Sequence, residues 1–158
     1  MSENWTSFEK ASAAIREYCA YSERCQAEVY QRLHKMQGPT DWVEELITEL
    51  MAEDYLNEWR YAEWYARSKV NQNGWGRIKI SQGMKAKKVA QALIDHALQQ
   101  IDEELYFSKL RKWIETKNKD YSRKYSQKEL KWQIGRFCYQ KGFPIEEFEQ
   151  AWESLHPD

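Results

Sequence analysis

Two groups of cationic side chains are the features of this sequence best suited to chemistry with a partner. The first is Arg77, Lys79, Lys85, Lys87 and Lys88, and no acidic residue falls between positions 67 and 88. Cations without interleaved carboxylates form a ridge able to meet phosphates or an acidic protein. The second is Lys117, Lys119, Arg123, Lys124, Lys128, Lys131 and Arg136, interleaved with Tyr121, Tyr125 and Trp132. Aromatic faces between cationic heads stack bases or anchor protein interfaces. For any single lysine, a solubilising role is the more economical reading. The grouping is what raises them above that. Tyr121 and Tyr125 are expected at the surface, whereas Trp132 and Ile134 fit a hydrophobic core.

No catalytic constellation accompanies these groups. His34, His96 and His156 have no sequence neighbours at metal-ligand spacing, and there is no Gly-rich phosphate loop or nucleophile elbow. The carboxylates are spaced like solvated helix faces. A binding protein that is not an enzyme, with no cofactor and no metal, is therefore expected. Cys19, Cys25 and Cys138 are odd in number and lack Cys-x-x-Cys spacing, which points to reduced, buried or half-buried thiols in a cytoplasmic protein. The first residues have no basic region followed by an apolar run, so no signal peptide is expected, and no apolar stretch is long enough to span a membrane.

The elements that must carry these residues are helices. In 158 residues there are 6 glycines and 3 prolines, too little punctuation for a turn-rich sheet protein, while charged residues reach 31%. Ser7 or Thr6 caps a first helix over residues 8–21, with Ala11, Ala14, Ile15 and Tyr18 at helical spacing. A second helix covers 25–36, with Val29 and Leu33 on one side. Gly38 in a left-handed cap and Asp41 as N-cap are expected to separate it from a third over 42–54, striped by Val43, Leu46, Ile47, Leu50 and Met51.

This pattern recurs. A shift of 47 positions lays Tyr18 on Tyr65, Leu33 on Ile80, Ile47 on Ile94 and Leu50 on Ala97, and a further shift of 54 lays Ile80 on Ile134 and Ala97 on Ala151. Three units, over about 8–56, 57–104 and 105–156, are expected, the third carrying extra residues near 118–124. Such repeats form a quasi-linear array with a long surface. Tyr61 and Tyr65 should pack inward at the first joint, Arg60 should pair with Asp54 or Glu58, and Trp75 should cover the junction at Gly74 and Gly76.

Charge is sorted along the array. Net charge is only -1, yet Asp41, Glu44, Glu45, Glu49, Glu53, Asp54, Glu58 and Glu63 stand against Arg60 alone in the segment 41–63. The segments 67–88 and 109–141 are basic. Steering of a charged partner follows from such unevenness.

The middle of the chain resembles the RecX family of RecA regulators. The residues that carry the likeness are Leu56-Asn57-Glu58-Trp59-Arg60-Tyr61-Ala62, Gly76-Arg77-Ile78-Lys79-Ile80, Met84-Lys85-Ala86-Lys87-Lys88-Val89 and Ile94-Asp95-His96-Ala97-Leu98. They match in order the family's Leu-Asp-Asp-x-Arg-Phe-Ala, Gly-x-x-Arg-Ile, Leu-x-x-Lys-Gly-Ile and Ile-x-x-Ala-Leu. Arg136-Phe137 with Lys141-Gly142-Phe143, and Glu28-Val29 with Arg32-Leu33, extend the likeness to either side. The sequence departs from the family at Asn57-Glu58 for Asp-Asp, at Lys88 for Gly and at Cys25 for Ser.

The resemblance implies an all-α fold of three tandem three-helix repeats in an elongated, curved array. It further implies a cytoplasmic monomer that binds the RecA nucleoprotein filament in homologous recombination, DNA repair and the SOS response, chiefly inhibiting filament extension, ATPase, strand exchange and co-protease activities. Two other readings stay open. A direct binder of single- or double-stranded DNA would rely on the two basic groups, and a helical adaptor for another bacterial protein would need neither DNA nor RecA.

Overall fold

The computed structural model describes residues 7–36 and 38–157. Among them the backbone is helical, without strands: α1 (Phe8–Tyr21), α2 (Gln26–Lys35), α3 (Thr40–Ala52), α4 (Glu58–Ser68), a π-helical turn (Lys69–Asn73), α5 (Arg77–Ala86), α6 (Gln91–Gln99), α7 (Glu103–Tyr121), α8 (Gln127–Gln140) and α9 (Ile145–Leu155). Side-chain caps open three of them, where Ser7, Asn57 and Asp102 accept from the backbone N–H groups of Lys10, Arg60 and Leu105. Pro39, not Asp41, stands at the N-cap of α3, and Asp41 lies inside its acidic first turn. The C-cap of α2 is Met36, in the right-handed region, and not Gly38.

Three helix ends close through a left-handed residue, at Asp54 (φ 62°), Lys88 (φ 61°) and Gly142 (φ 101°). Around each, an N–H reaches back five residues: Tyr55 to the carbonyl of Leu50, Val89 to Met84, and Phe143 to Cys138. Lys88 therefore does not continue α5 alongside Lys85, as a longer helix would require. It forms the turn beyond the helix end, at the position where the resembled Leu-x-x-Lys-Gly-Ile motif has glycine.

The buried stripes fix the register of the repeats. Val43, Ile94 and Phe148 are equivalent core positions, as are Leu46, Ala97 and Ala151, and Val29, Ile80 and Ile134. The first and second units are thus offset by 51 positions in their second and third helices and by 47 only in their first. The difference lies between α4 and α5, where residues 69–75 replace the shorter link 22–24. These four additional residues amount to about one helical turn, so apolar periodicity alone matches equally well one turn out of register. The extra residues of the third unit lengthen α7 to 19 residues.

Two cores result. Ala11, Ile15, Val29, Leu33, Val43, Leu46 and Leu50 close α1–α3 around one cluster. A single continuous cluster runs from Tyr61 to Ala151 through α4–α9, and from the first unit Cys25 joins it with Ala27 packed against it. The second and third groups of helices are therefore fused more intimately than neighbouring members of a simple array. Accessible surface is 10057 Å² for 19.1 kDa, against roughly 8,400 Å² for a compact monomer of that mass. The excess fits an elongated molecule.

The joint inside the larger core is made of backbone. The N–H of Gly76 donates to the carbonyl of Lys141 (2.8 Å) and that of Ile78 to Gly142 (2.9 Å), so the start of α5, which has no side-chain cap, meets the turn that closes α8. A Cβ at Gly76 would overlap the backbone of Gly142 and Phe143. Gly76→Ala is expected to destabilise the protein by about 3 kcal/mol or more, read by urea denaturation, because neither backbone can move aside. Lys88→Gly should act oppositely: relieving about 1 kcal/mol of left-handed strain raises Tm by about 2–4 °C. An unchanged or lowered Tm would contradict the strained turn.

Candidate functional site

The first basic group divides when its surroundings are taken into account. Arg77 opens α5 as its first residue and is half-buried. Its Nη1 donates to Glu147 Oε2 (2.9 Å), its Nη2 to Glu103, its backbone N–H to the Tyr106 hydroxyl (3.1 Å), and its guanidinium lies 4.1 Å from the Tyr106 ring centroid. Tyr106 in turn donates to Glu147, and burial pushes its phenol upward in pKa. Arg77 thus ties α5 to α7 and α9, and its charge is taken up inside the fold.

Lys79 lies half-buried with its ammonium 4.6 Å from the Trp75 ring centroid, which Lys69 also approaches (4.8 Å). Trp75 is half-buried and covers the junction, as the sequence suggested. Lys87 stands 3.7 Å from Glu28. Lys85 and Lys88 are exposed and have no carboxylate partner among the described residues. Two unpaired cations and one weakly paired one remain of the first group.

The second group spreads over the end of α7, the turn after it, and α8. Lys117 is held by Asp120 (3.6 Å) and by the Phe137 ring (4.3 Å), and Lys131 by Glu149 (2.8 Å). Lys119, Arg123, Lys124 and Lys128 are exposed without ion pairs among the described residues. Arg136 is exposed with its guanidinium 5.6 Å from the Trp132 ring centroid. Tyr121 and Tyr125 pack edge to face at 5.5 Å and are half-buried, so they brace the turn and are less open than expected. Trp132, assigned to the core from the sequence, is instead 62% exposed, whereas Ile134 two positions on is fully buried.

Other expectations resolve at the joint between α1–α3 and the rest. Tyr61 and Tyr65 are buried, and both phenols are raised in pKa chiefly by burial. Arg60 pairs with Asp54 (3.0 Å) and with Glu23 (2.8 Å), a partner the sequence did not suggest. Glu58 instead accepts from the backbone N–H of Gln26, and burial raises its carboxyl pKa. The three cysteines are buried, and burial pushes the Cys138 thiol up to about 12. No group of three His, Cys, Asp or Glu that could hold a metal occurs among the described residues, and no helix among them is long and apolar enough to cross a membrane.

A helical array with an Arg-Glu-Tyr joint and exposed lysine clusters defines an all-α repeat protein. Residues 57–98 match the family model for RecX, second three-helix domain. Relatives include the regulatory protein RecX of Bacillus mycoides, 27% identical over 147 residues, covering 93% of this chain and 54% of the relative. That of Bacillus cytotoxicus is 28% identical over the same length. The chain spans about half the length of these curated relatives. The crystal structure of RecX from Lactobacillus salivarius superposes with a TM-score of 0.84 at 24% identity, covering 94% of this chain and 96% of that one. The RecX resemblance read from the motifs is borne out, and so is the all-α repeat fold.

Removing the cation at the joint exposes its role. Arg77→Ala leaves Glu147, with a side chain 18% exposed, facing the Tyr106 hydroxyl without a counter-charge. The expected loss is about 2–4 kcal/mol of stability in chemical denaturation, with Arg77→Lys recovering only part, since one ammonium cannot bridge both carboxylates. A change within about 0.5 kcal/mol would place Arg77 among ordinary surface cations.

Proposed function

We propose that this protein is a RecX-type regulator that binds the RecA nucleoprotein filament and chiefly inhibits its extension, ATP hydrolysis, strand exchange and co-protease activity. The observation that carries this reading is the retention of the family's motif order on a matching helical array. An elongated array suits a filament physically, because it can touch neighbouring protomers at once. Regulation then follows from unequal affinity for the filament's alternative states. The exposed cations Lys85, Lys88, Lys119, Arg123, Lys124 and Lys128 supply attraction toward an anionic nucleoprotein surface.

Direct DNA binding is the second reading, favoured by the corner between α7 and α8, where Lys119, Arg123 and Lys124 stand unpaired beside the Tyr121–Tyr125 pair. DNA-stimulated ATP hydrolysis by RecA from the same organism, titrated with this protein, separates the two. Loss of hydrolysis below one molecule per protomer is expected. Combining Lys85→Ala, Lys87→Ala and Lys88→Gly should raise the half-inhibiting concentration about tenfold, the glycine keeping the left-handed turn intact. No effect at any ratio, with steeply salt-dependent binding to bare DNA, would replace the regulator by a DNA-binding module. No effect and no DNA binding would leave the adaptor.

A further inference from the structure

The outward side of α8 carries Lys128, Trp132, Gly135 and Tyr139, spaced four, three and four residues apart. That is the spacing of a helix seam awaiting another helix. With Arg136 and with Ile145, Phe148 and Glu149 of α9, these residues line an open groove of about 550 Å³. Trp132 (62%), Tyr139 (55%) and Ile145 (61%) are among the most exposed large apolar side chains of the protein, and all three face this one groove. Gly135 lies at its middle, where an added Cβ would sit 2.9 Å from the Phe148 ring. The absent side chain lets α8 and α9 approach closely and leaves a notch between Trp132 and Tyr139.

The two banks differ in charge. Lys131 and Glu149 neutralise each other at 2.8 Å. On the α8 bank, Lys128 and Arg136 have no carboxylate partner among the described residues and stand eight positions apart, which is about 12 Å along a helix. On the α9 bank, Glu146 and Glu153 flank Glu149 at helical spacing. A phosphodiester strand carries negative charge on both sides and is repelled by α9. A protein helix can present a different charge on each flank.

The geometry points to a docking groove for an amphipathic helix of a protein partner, one that lays an apolar stripe on Trp132, Gly135, Tyr139 and Ile145 and sets acidic residues two turns apart against Lys128 and Arg136. The inference rests on this surface and does not depend on which protein supplies the helix.

The test uses the full chain, isotope-labelled, with the Trp132 indole and Tyr139 followed by NMR. Three probes are titrated: a synthetic peptide of about 18 residues with a leucine stripe and glutamates two turns apart on one flank, its lysine counterpart, and an oligothymidylate of about 15 nucleotides. The acidic peptide is expected to shift both resonances and to bind about tenfold more tightly than the lysine peptide. The double variant Trp132→Ala, Tyr139→Ala should abolish that binding without lowering Tm, since both rings are mostly solvated. Equal binding of both peptides, no shift at Trp132 with either, or shifts produced by the oligonucleotide in their place would each overturn the proposal.

Discussion

The rest of the structure depends on the meeting of two helix ends without side chains between them. The first donors of α5 need acceptors and the last carbonyls of α8 need donors, and each supplies the other through Gly76, Ile78, Lys141 and Gly142. Oppositely signed ends of two helix dipoles come together there. Contact at this distance is possible only because position 76 has no Cβ and because Gly142 takes a φ of 101°. Arg77, the next residue along, then locks the arrangement to Glu103 and Glu147. One interlocked turn thus places α5, with Lys79 and Lys85, relative to α8, with Lys128 and Arg136.

The other joint is built differently. Between α1–α3 and the larger core, the buried contribution is Cys25 with Ala27 packed against the cluster that holds Tyr61 and Tyr65. The remaining ties are polar: Arg60 to Glu23, Glu58 to the N–H of Gln26, Lys87 to Glu28. Partly solvated ion pairs contribute on the order of 0–1 kcal/mol each, less than a single well-buried aromatic ring. An open cleft of about 1070 Å³, lined by Gln26, Glu28, Glu58, Lys87 and Leu93 among others, lies beside these contacts. The first joint thus rests on interlocked backbone and a continuous core, and the second on a small buried contact with polar ties around it.

Helix positions were legible in the sequence because each helix carries its own apolar stripe, and α1 spans the residues its spacing indicated. Register between the first two units was not, since an insertion of one turn leaves a 3.6-residue pattern in phase. The strain at Lys88 was visible only as a departure from the related Gly. Arg77 looked like its lysine neighbours because its partners, Glu103 and Glu147, lie 26 and 70 residues away. Trp132 was misread for a similar reason: α8 has apolar residues on two faces, Ile134 and Cys138 inward and Trp132 and Tyr139 outward. Hydrophobicity alone does not distinguish a core face from a binding face, though the spacing from Lys128 to Tyr139 is the signal that could have done so.

The division between arginine and lysine follows from the same logic. Arg16 bridges Glu49 and Glu53, Arg60 bridges Glu23 and Asp54, and Arg77 bridges Glu103 and Glu147. A planar fork with several donors suits fixed carboxylates on two different elements, whereas an ammonium on a flexible stem remains well solvated. Arginines thus hold these three two-carboxylate bridges, whereas Lys87, Lys117 and Lys131 each meet a single carboxylate and the exposed lysines supply most of the remaining positive charge. Those lysines gather on α5, α7 and α8, while the carboxylates of α3 remain in excess at the N-terminal end. A nearly neutral chain thereby acquires a lengthwise polarity, and an anionic partner approaching within a Debye length of about 8 Å meets attraction at one part and repulsion at the other. Charge polarity of this kind orients an anionic partner at longer range than apolar contact can.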